Sequence, residues 1–402
     1  MREEAESRYD VVVVGGAGHV GFPLAVALAS RGLSTCIYDI NESALKRIAD
    51  GCEPFLEPGI QPTLDGVLAS GALDVSSDAS SIAAGEHVIV VVGTPVDEHL
   101  NPDPEAVPLA VRELKDQLRP GQLLVLRSTV YPGVTRRIER LLEAEEHQVD
   151  VAFCPERIAE GKAMTELFEL PQIVAGRTER ATQRAAALFG KLTNSIVVLS
   201  PEEAELAKLF TNTYRYIKFA AANQFYMMAN DLGLDFERIR AGLSHDYPRA
   251  ADLPGAGFAA GPCLFKDTMQ LAAVSGNTFA LGHSAMLVNE GLPGYVVSRL
   301  ERDHDLADLT VGILGMAFKG ESDDTRSSLS YKLKRLLKFR AKAVITTDPF
   351  VTTDPDLLSL SEVLERADIL VIGAPHDAYS TLTDVAVPVV DVWNLRGQGV
   401  RV

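Results

Sequence analysis

The chain has 402 residues, a length that suits two or three domains. Its 47% hydrophobic and 23% charged residues are typical of a soluble globular protein, and its formal charge of −17 argues against a nucleic-acid partner. Four cysteines without metal-binding or disulfide spacing predict reduced thiols in a cytoplasmic protein, with no metal site. The polar N-terminus is unlike a signal peptide, and glycines interrupt the apolar run 11–30, which makes a membrane span unfavourable.

The first predicted elements form a dinucleotide site. Val11–Val14 is a buried parallel strand, and Gly16-Ala-Gly-His-Val-Gly21 follows it at once and opens a helix to about Ser30. A second strand, Ser34–Tyr38, ends in Asp39. In this context the glycines allow a pyrophosphate to approach the backbone, and the acid binds ribose hydroxyls. Asp39, with no basic residue directly after it, favours NAD over NADP. The predicted cofactor residues here are Gly16, Gly18, His19, Val20, Gly21 and Asp39.

Three further buried strands extend the predicted sheet, and polar residues follow each of them. The strands are His87–Val92, Gln122–Leu126 and Asp150–Phe153. Ligands of open α/β sheets bind beyond the carboxyl ends of the strands. Thr94, Thr129 and Glu156 lie at such ends and are therefore predicted to share one cleft. The alternative is that each satisfies only its local backbone.

A long helix from Glu202 to about Leu232 follows, with Ser200, Pro201 and two acidic residues at its start. Lys208 and Asn212 are four residues apart and so share a face of this helix. A lysine on a helix is ordinarily a solvated surface charge, but Lys208 stands between Ala207 and Leu209 and has no acid four residues away.

The segment Gly257-Phe-Ala-Ala-Gly-Pro-Cys-Leu-Phe-Lys-Asp267 comes after Arg249 and holds a cysteine behind a small-residue loop. Small residues let backbone approach a ligand closely. Cys263, with Lys266 and Asp267 next to it, is a candidate nucleophile. The alternative is a buried cysteine at a helix start.

The last third repeats the strand–turn–helix pattern of the first. Its predicted strands are Leu309–Leu314, Lys342–Thr347, Ile369–Ile372 and Val387–Val390, with a basic helix over Ser328–Phe339. The turn Gly312–Lys319 lacks the GxGxxG spacing and offers Lys319, Arg326 and Ser327 instead. This part is predicted to bind a phosphate-bearing ligand other than a dinucleotide, or to be structural with solvated charges.

Taken together, these motifs resemble the UDP-glucose/GDP-mannose dehydrogenase family, the nucleotide-sugar 6-dehydrogenases, from about Val11 to Asn394. The matching segments, in chain order, are Gly16-Ala-Gly-His-Val-Gly21, Glu57-Pro-Gly59, Ser128-Thr-Val130 with Pro132-Gly133, Pro155-Glu-Arg-Ile-Ala-Glu-Gly161, Ala204-Glu-Leu-Ala-Lys208 with Asn212, Cys263-Leu-Phe-Lys-Asp267, and Ala317-Phe-Lys319 with Asp324-Thr-Arg-Ser327. Such enzymes oxidise a sugar's primary alcohol to a carboxylate with two NAD⁺, as homodimers or larger assemblies.

The resemblance implies a role for each candidate residue. Cys263 forms a thiohemiacetal and then a thioester, Lys208 and Asn212 stabilise the developing alkoxide, and Thr129, Glu156 and Asp267 organise water and proton transfers. Further cofactor contacts are implied for Thr94, Thr129, Lys266 and Arg326. Substrate contacts are implied for Glu156, Arg157, Ile158, Glu160, Lys208, Asn212, Arg249, Gly257, Phe258, Gly261, Phe318, Lys319 and Arg396, with Arg249 reaching the substrate from the partner subunit in some relatives.

The predicted fold is therefore α/β, with two Rossmann-like doubly wound parallel-sheet domains joined by a long central helix and a helical middle domain. The domains are predicted at 1–200 (NAD-binding), 201–300 (central, with Lys208 and Cys263) and 301–402 (nucleotide-sugar-binding).

The sequence favours UDP- or dTDP-glucose as the substrate, since Lys266 and Asp267 after Cys263 look more like the glucose enzymes. His19, Pro262 and Phe265 depart from the common family residues and leave other sugars open, namely UDP-N-acetylhexosamines (N-acetylmannosamine or N-acetylglucosamine) or GDP-mannose. Two other functions remain open: a single-step NAD-dependent hydroxyacid dehydrogenase, and a cofactor-bound sensor without turnover. No nucleic-acid or membrane partner is predicted.

Overall fold

The structure is a computed structural model, and it describes residues 7–94, 103–382, 385–399 and 402. The chain divides into two compact units, Met1–Phe210 and Thr211–Val402. The 31-residue helix α9 (Pro201–Asp231) runs from the first unit into the second. The three-domain division at 200 and 300 stays a prediction. Within the described ranges, no helix combines the length and the hydropathy that crossing a membrane would require.

The first unit is built on an eight-stranded sheet in the order β3-β2-β1-β4-β5-β6-β7-β8. Neighbouring strands are parallel except β6 and β7, which pair antiparallel. The strands are β1 (Tyr9–Val14), β2 (Thr35–Tyr38), β3 (Leu73–Ser76), β4 (Gly85–Val90), β5 (Leu123–Leu126), β6 (Asp150–Phe153), β7 (Gln172–Gly176) and β8 (Ile196–Val198). The helices are α1 (Gly21–Ser30), α2 (Glu42–Ala49), α3 (Gln61–Ala69), α4 (Ser80–Ala83), α5 (Ala106–Leu114), α6 (Val134–Ala144), α7 (Ala163–Glu169) and α8 (Glu179–Phe189).

Burial explains why this sheet is parallel in its middle. Val11, Val12 and Val13 of β1 are fully buried, and so is every residue of β5. Strands covered on both faces read as continuous apolar runs, as the sequence here does. The sheet lies between two apolar clusters, one around α1 and α8 and the other around α5 and α6.

The second unit holds the rest of α9, further helices and a four-stranded parallel sheet in the order β10-β9-β11-β12. The strands are β9 (Thr310–Leu314), β10 (Ala343–Thr347), β11 (Ile369–Ile372) and β12 (Val389–Val390). The helices are α10 (Phe236–Ser244), α11 (Leu264–Val274), α12 (Ala280–Asp303), α13 (Leu329–Leu337) and α14 (Leu360–Arg366). The α/β class and the two Rossmann-like sheets are thus confirmed.

Candidate functional site

The glycine turn after β1 is crowded at Gly15 and Gly21 but leaves space beside Gly18. Gly15 adopts φ +74° and donates its N–H to Tyr38 O at 2.9 Å. A Cβ on Gly21 would lie 2.6 Å from Gly15 O, so this glycine is needed inside the turn. A Cβ on Gly18 would meet only Gly15 O, at 3.6 Å, among the described atoms within 4 Å. Gly18 therefore faces open space, where a phosphate can approach the backbone and the start of α1.

Asp39 closes the other side of this turn at the end of β2. Its Oδ2 accepts the N–H of Ala17 at 3.0 Å, and its Oδ1 accepts the N–H of Asn41 at 2.9 Å. Asn41 in turn caps α2 by accepting the N–H of Ala44. The carboxylate is fixed and partly exposed, next to an open glycine turn. These residues fit the ribose and pyrophosphate of a dinucleotide.

His19 links the glycine turn to the segment predicted to border the sugar. Its ring stacks on Phe55 with centroids 3.9 Å apart, and its Nδ1 lies 3.8 Å from a carboxylate oxygen of Glu160. Glu57 adds a second link, because its carboxylate accepts the N–H groups of Gly161 and Ala163, each at 2.9 Å. Within the first unit, the predicted cofactor turn and the 155–161 segment are therefore neighbours.

The loops after β4 and β5 meet through Ser128, which the sequence analysis names in a matching segment without giving it a role. Ser128 Oγ accepts the N–H of Val92 at 2.8 Å. Thr94, which is buried, and Thr129, which is partly exposed, lie next to this bond. The structure thus brings both threonines to one edge of the sheet, as the strand order requires.

Glu156 has a different environment from the one that the sequence suggests. Its buried carboxylate forms an ion pair with the fully buried Arg127 and accepts the N–H groups of Arg157 (2.6 Å) and Ile158 (2.9 Å). Removing one partner of such a pair leaves a buried charge and typically costs roughly 3–5 kcal/mol. Glu156 therefore shapes the loop that carries Arg157, Ile158 and Glu160, while a role for it on the reacting water stays a prediction.

The four cysteines separate by burial. Cys36 and Cys154 are buried, and burial raises the pKa of the Cys36 thiol to about 11 and that of the Cys154 thiol to about 12. Cys52 and Cys263 are exposed. Of these two, Cys263 stands at the N-cap of α11.

Helix α9 carries both residues predicted to face the alkoxide. Lys208 is 9% exposed and Asn212 is buried as well. One turn before Lys208, Glu205 accepts the N–H groups of Gly133 (2.6 Å) and Thr135 (2.8 Å) at the start of α6. Burial raises the pKa of Glu205, and these backbone donors oppose that rise. The contact fixes this part of α9 to the loop that follows Thr129.

In the second unit, α9 and α11 meet at a buried amide–carboxylate pair. Asn212 Nδ2 donates to Asp267 Oδ2 at 2.5 Å, and Lys266 Nζ lies 3.2 Å from Asp267 Oδ1. Asp267 is 0% exposed and donates its own N–H to Cys263 O at 2.9 Å. The structure therefore brings Asn212, Asp267, Lys266 and Cys263 together.

Gly257 is held by a network of buried amides that sequence reasoning missed. Asn223 accepts the N–H of Gly257 at 2.9 Å and donates to its carbonyl oxygen at 3.0 Å. Asn223 also donates to Asn289, which donates to Tyr216 O. The one available signal is that Asn223 follows Asn212 by eleven residues, three helical turns, and so lies on the same face of α9.

Aromatic rings pack directly on the glycines of the cysteine loop. A Cβ on Gly257 would lie 2.3 Å from the ring of Trp393, and one on Gly261 would lie 2.7 Å from the ring of Phe318. Trp393 also makes an edge contact with Phe258. The loop before Cys263 thus fits only glycine at these points, and Phe318 joins it to the turn that carries Lys319.

The remaining predicted residues lie in or near loops of the second unit. Lys319 Nζ is 5.3 Å from the centroid of the Phe318 ring. Arg326 makes a bidentate contact with Asp324, with N–O distances of 2.6 and 3.0 Å. Arg396 donates its backbone N–H to Asp391, which also accepts from Trp393. Arg249 lies on the exposed segment after α10, with its Nη1 3.3 Å from the hydroxyl of Tyr247.

Family models match three consecutive parts of the chain. The NAD binding domain of the UDP-glucose/GDP-mannose dehydrogenase family matches residues 10–193, its central domain matches residues 202–290, and its UDP binding domain matches residues 312–397.

Individual relatives cover nearly the whole chain. A UDP-N-acetyl-D-mannosamine dehydrogenase of Pyrococcus horikoshii is 32% identical over 384 residues, which cover 92% of this chain and 90% of that protein. A solved UDP-D-ManNAc dehydrogenase from the same organism has a TM-score of 0.86 at 30% identity, covering 93% of this chain and 91% of that one. A solved UDP-glucose dehydrogenase from Pyrobaculum islandicum has a TM-score of 0.89 at 28% identity, covering 100% and 98%.

Proposed function

This chain belongs to the UDP-glucose/GDP-mannose dehydrogenase family and is an NAD-dependent nucleotide-sugar dehydrogenase, and we propose that it oxidises the 6-hydroxymethyl group of a UDP-linked N-acetylhexosamine to a carboxylate in two steps. The observation that carries the two-step reaction is Cys263, an exposed thiol at the start of α11, one helical turn before the buried Asn212–Asp267 pair.

In the first oxidation, the primary alcohol R–CH₂OH becomes the aldehyde R–CHO as C6 gives up a hydride and its oxygen gives up a proton. NAD⁺, when bound, would supply the acceptor for one hydride in each oxidation. Lys208 and Asn212 face the oxygen, where an ammonium charge and an N–H donor stabilise the alkoxide as it forms. Burial strengthens both effects, because water does not screen them.

The aldehyde then adds the Cys263 thiol. A new C–S bond forms, the carbonyl oxygen takes a proton, and the product is the thiohemiacetal Cys–S–CH(OH)–R. Loss of a second hydride from C6 and of the hydroxyl proton gives the thioester Cys–S–CO–R. Water adds to the thioester, the C–S bond breaks, and the uronic acid leaves while the thiol regains its proton. Asp267, Thr129 and Glu156 are the residues proposed to order this water and the proton transfers.

The remaining contacts follow from the chemistry of a nucleoside diphosphate. Lys319 and Arg396 supply positive charge for the substrate's nucleotide moiety, and Phe318, Gly257 and Gly261 shape the pocket around it. Arg157, Ile158 and Glu160 border the sugar, and Arg249 adds a cation from an exposed segment. Lys266 and Arg326 are the cofactor contacts proposed for the second unit.

For the sugar, the UDP-N-acetyl-D-mannosamine dehydrogenase of Pyrococcus horikoshii supports an N-acetylhexosamine. UDP-glucose is the second candidate. The full-length likeness to the Pyrobaculum islandicum UDP-glucose dehydrogenase and the Lys266-Asp267 pair after Cys263 favour it.

We also propose that the enzyme works in the cytoplasm as a homodimer. Large apolar side chains on one face of α9 and just beyond its end are about half exposed or more: Tyr214 (58%), Phe225 (48%), Met228 (58%) and Leu232 (75%). Large exposed apolar side chains along one face of a long helix support packing against a second copy of the same helix.

The test is NADH stoichiometry with single-turnover amounts of UDP-N-acetylmannosamine, UDP-N-acetylglucosamine, UDP-glucose, dTDP-glucose and GDP-mannose. Two NADH per sugar and a uronic acid by mass spectrometry are expected for the true substrate. Cys263→Ala should abolish uronate formation, because no thioester can form. Cys52→Ala is the matched control, since it removes the other exposed cysteine and should leave turnover unchanged.

One NADH per sugar with Cys263 intact would favour a single-step dehydrogenase instead. No NADH with any nucleotide sugar would favour a cofactor-bound sensor. Uronate formation by Cys263→Ala at the wild-type rate would rule out the covalent route.

A further inference from the structure

A fully buried histidine in the second unit bonds to two separate segments. His376 follows β11 in the loop Gly373-Ala-Pro-His376 and is 0% exposed. Its Nε2 lies 3.1 Å from Asp348 Oδ2, and its Nδ1 lies 3.0 Å from the backbone nitrogen of Glu321. No step of the reaction described above uses this side chain.

The partners fix the protonation pattern of the ring. A backbone N–H is always a donor, so Nδ1 accepts from Glu321 and carries no proton. Nε2 then carries the proton and donates to the carboxylate of Asp348. The Glu321 carboxylate lies 3.8 Å from Nδ1 and accepts the N–H of Asp377 at 2.8 Å, which ties the two loops together a second time.

His376 joins both ends of one short segment. Asp348 accepts the N–H groups of Met316 (2.6 Å) and Ala317 (3.0 Å) at the start of that segment. Glu321, which donates to the imidazole, is at its end. The loop packs closely in between as well, since a Cβ on Gly320 would lie 2.3 Å from Pro375 O. The imidazole therefore closes a bridge across residues 316–321.

The bridged segment carries Phe318 and Lys319. The Phe318 ring packs on Gly261, two residues before Cys263, and Lys319 Nζ lies 5.3 Å from the centroid of that ring. A shift of the segment would move the lysine charge and the support of the cysteine loop together. Both groups are side chains on a loop, which needs fixing by bonds of this kind to act precisely in binding.

We propose that His376 is a positioning residue for the nucleotide-sugar substrate, acting through Asp348 and Glu321 to hold the 316–321 segment and thereby Lys319. This inference rests on the proposed function, in which Lys319 contacts the nucleotide moiety. Loss of the bridge weakens substrate binding, while binding of NAD to the glycine turn and Asp39 of the first unit and the chemistry on a saturated enzyme stay nearly constant.

Two substitutions in the full-length enzyme separate the two bonds. His376→Asn keeps an oxygen near the position of Nδ1, so it retains the acceptor for Glu321 and loses the donor to Asp348. His376→Gln reaches towards Asp348 with an N–H and loses the acceptor. We expect the KM for the UDP-sugar to rise about tenfold in the glutamine variant and less in the asparagine variant, with kcat and the KM for NAD⁺ within about twofold of wild type. Binding of UDP alone, measured by calorimetry, should weaken by the same factor as the KM.

Tyr379→Phe is the matched control. Tyr379 is a buried neighbour whose ring centroid is 5.6 Å from that of His376, and its hydroxyl bonds Thr347 O at 3.4 Å, outside the 316–321 segment. It should leave both KM values unchanged. An equal rise in the sugar KM in Tyr379→Phe would overturn the proposal, and so would a fall in kcat at unchanged sugar KM, or a parallel rise in the KM for NAD⁺. Failure of the wild-type enzyme to bind UDP or to oxidise any UDP-sugar would instead overturn the proposed function.

Discussion

The two sheets begin in the same way and then diverge. Gly15 after β1 and Gly315 after β9 both have positive φ, +74° and +95°, and each donates its N–H to the end of the neighbouring strand at 2.9 Å. An aspartate at that strand end, Asp39 or Asp348, accepts backbone N–H groups of the turn. The same backbone device therefore occurs twice in one chain.

The difference lies in what the aspartate faces next. Asp39 is partly exposed, and α1 starts at Gly21, directly after the glycine turn. The Asp348 side chain is buried, and His376 Nε2 lies 3.1 Å from its carboxylate. The next helix, α13, starts only at Leu329, so the turn after β9 is longer. The carboxylate of Asp39 stays partly exposed, whereas that of Asp348 is satisfied within the protein, and the longer turn before α13 carries Phe318 and Lys319. The two copies of the turn thus differ because a side chain, His376, lies against the second aspartate.

The largest effect is expected where the turn is most crowded. A Cβ on Gly15 would lie 2.0 Å from Val91 O, and on Gly315 it would lie 2.7 Å from backbone atoms of Ala374. Gly15→Ala should lower the thermal midpoint by roughly 10 °C or more, with Gly315→Ala following, because neither backbone can move away. Gly32→Ala is the control: its φ is +83° but nothing described lies within 4 Å, so only the cost of the left-handed backbone, about 1–2 kcal/mol, applies. If calorimetry found the same fall in thermal midpoint for Gly15→Ala and Gly32→Ala, the crowding at Gly15 would be unimportant.

Asp348 should contribute about 2 kcal/mol of stability that acid removes. Burial alone would raise the pKa of this carboxyl, but hydrogen bonds from His376, Ala317 and Phe350 outweigh it and lower the pKa from 3.8 to about 2. Because the folded pKa lies below the unfolded one, the stabilisation is fully present above pH 4 and is lost as the pH falls towards 2. Asp348→Asn should lower the unfolding midpoint at pH 7 and lose that part of the acid dependence. An unchanged difference between the two proteins from pH 7 to pH 2 would contradict this.

The smallest of the three effects is expected for Asp39. Its substitution should change the stability of the fold less than it changes the binding of NAD⁺. Asp39→Asn keeps one acceptor for the turn but loses the negative charge facing the ribose, so the KM for NAD⁺ should rise about tenfold with little change in the sugar KM or in stability. Steady-state kinetics with each substrate varied in turn measures this. If Asp39→Asn raised the sugar KM and Asp348→Asn raised that for NAD⁺, the two carboxylates would not have divided their roles as described.

The sequence predicted well those strands and helices whose signal lies in the spacing of neighbouring residues. β6 and β11 have the predicted bounds, and α9 was placed within a residue at each end, since apolar runs and helix starts are local signals. The strands β3 and β8 were missed because they are short and partly exposed, and Val197 and Val198 of β8 are 40% and 59% exposed. β7 was missed as well, although it is almost entirely buried. A three-residue strand at the edge of a sheet has almost no periodicity to detect.

The same limit applies to the candidate site. Cys263, Asn212 and Asp267 were found through motif and helix spacing, and the structure brings them together. Arg127, Asn223, Asn289 and His376 were not found, because their partners lie 27 to 73 residues away in sequence. Buried polar groups must find partners somewhere, but which partners they find is decided by the fold and not by the neighbouring residues.

The ring of Trp393 against Gly257 has a consequence for synthesis of the protein. The glycine loop that leads to Cys263 emerges from the ribosome well before its aromatic support, which is 136 residues further along the chain. During that interval the first unit has all of its own residues, whereas the loop before Cys263 lacks the Trp393 ring that packs on Gly257. Cys263, the proposed nucleophile, therefore lacks its final surroundings until the segment that carries Trp393 has been synthesised.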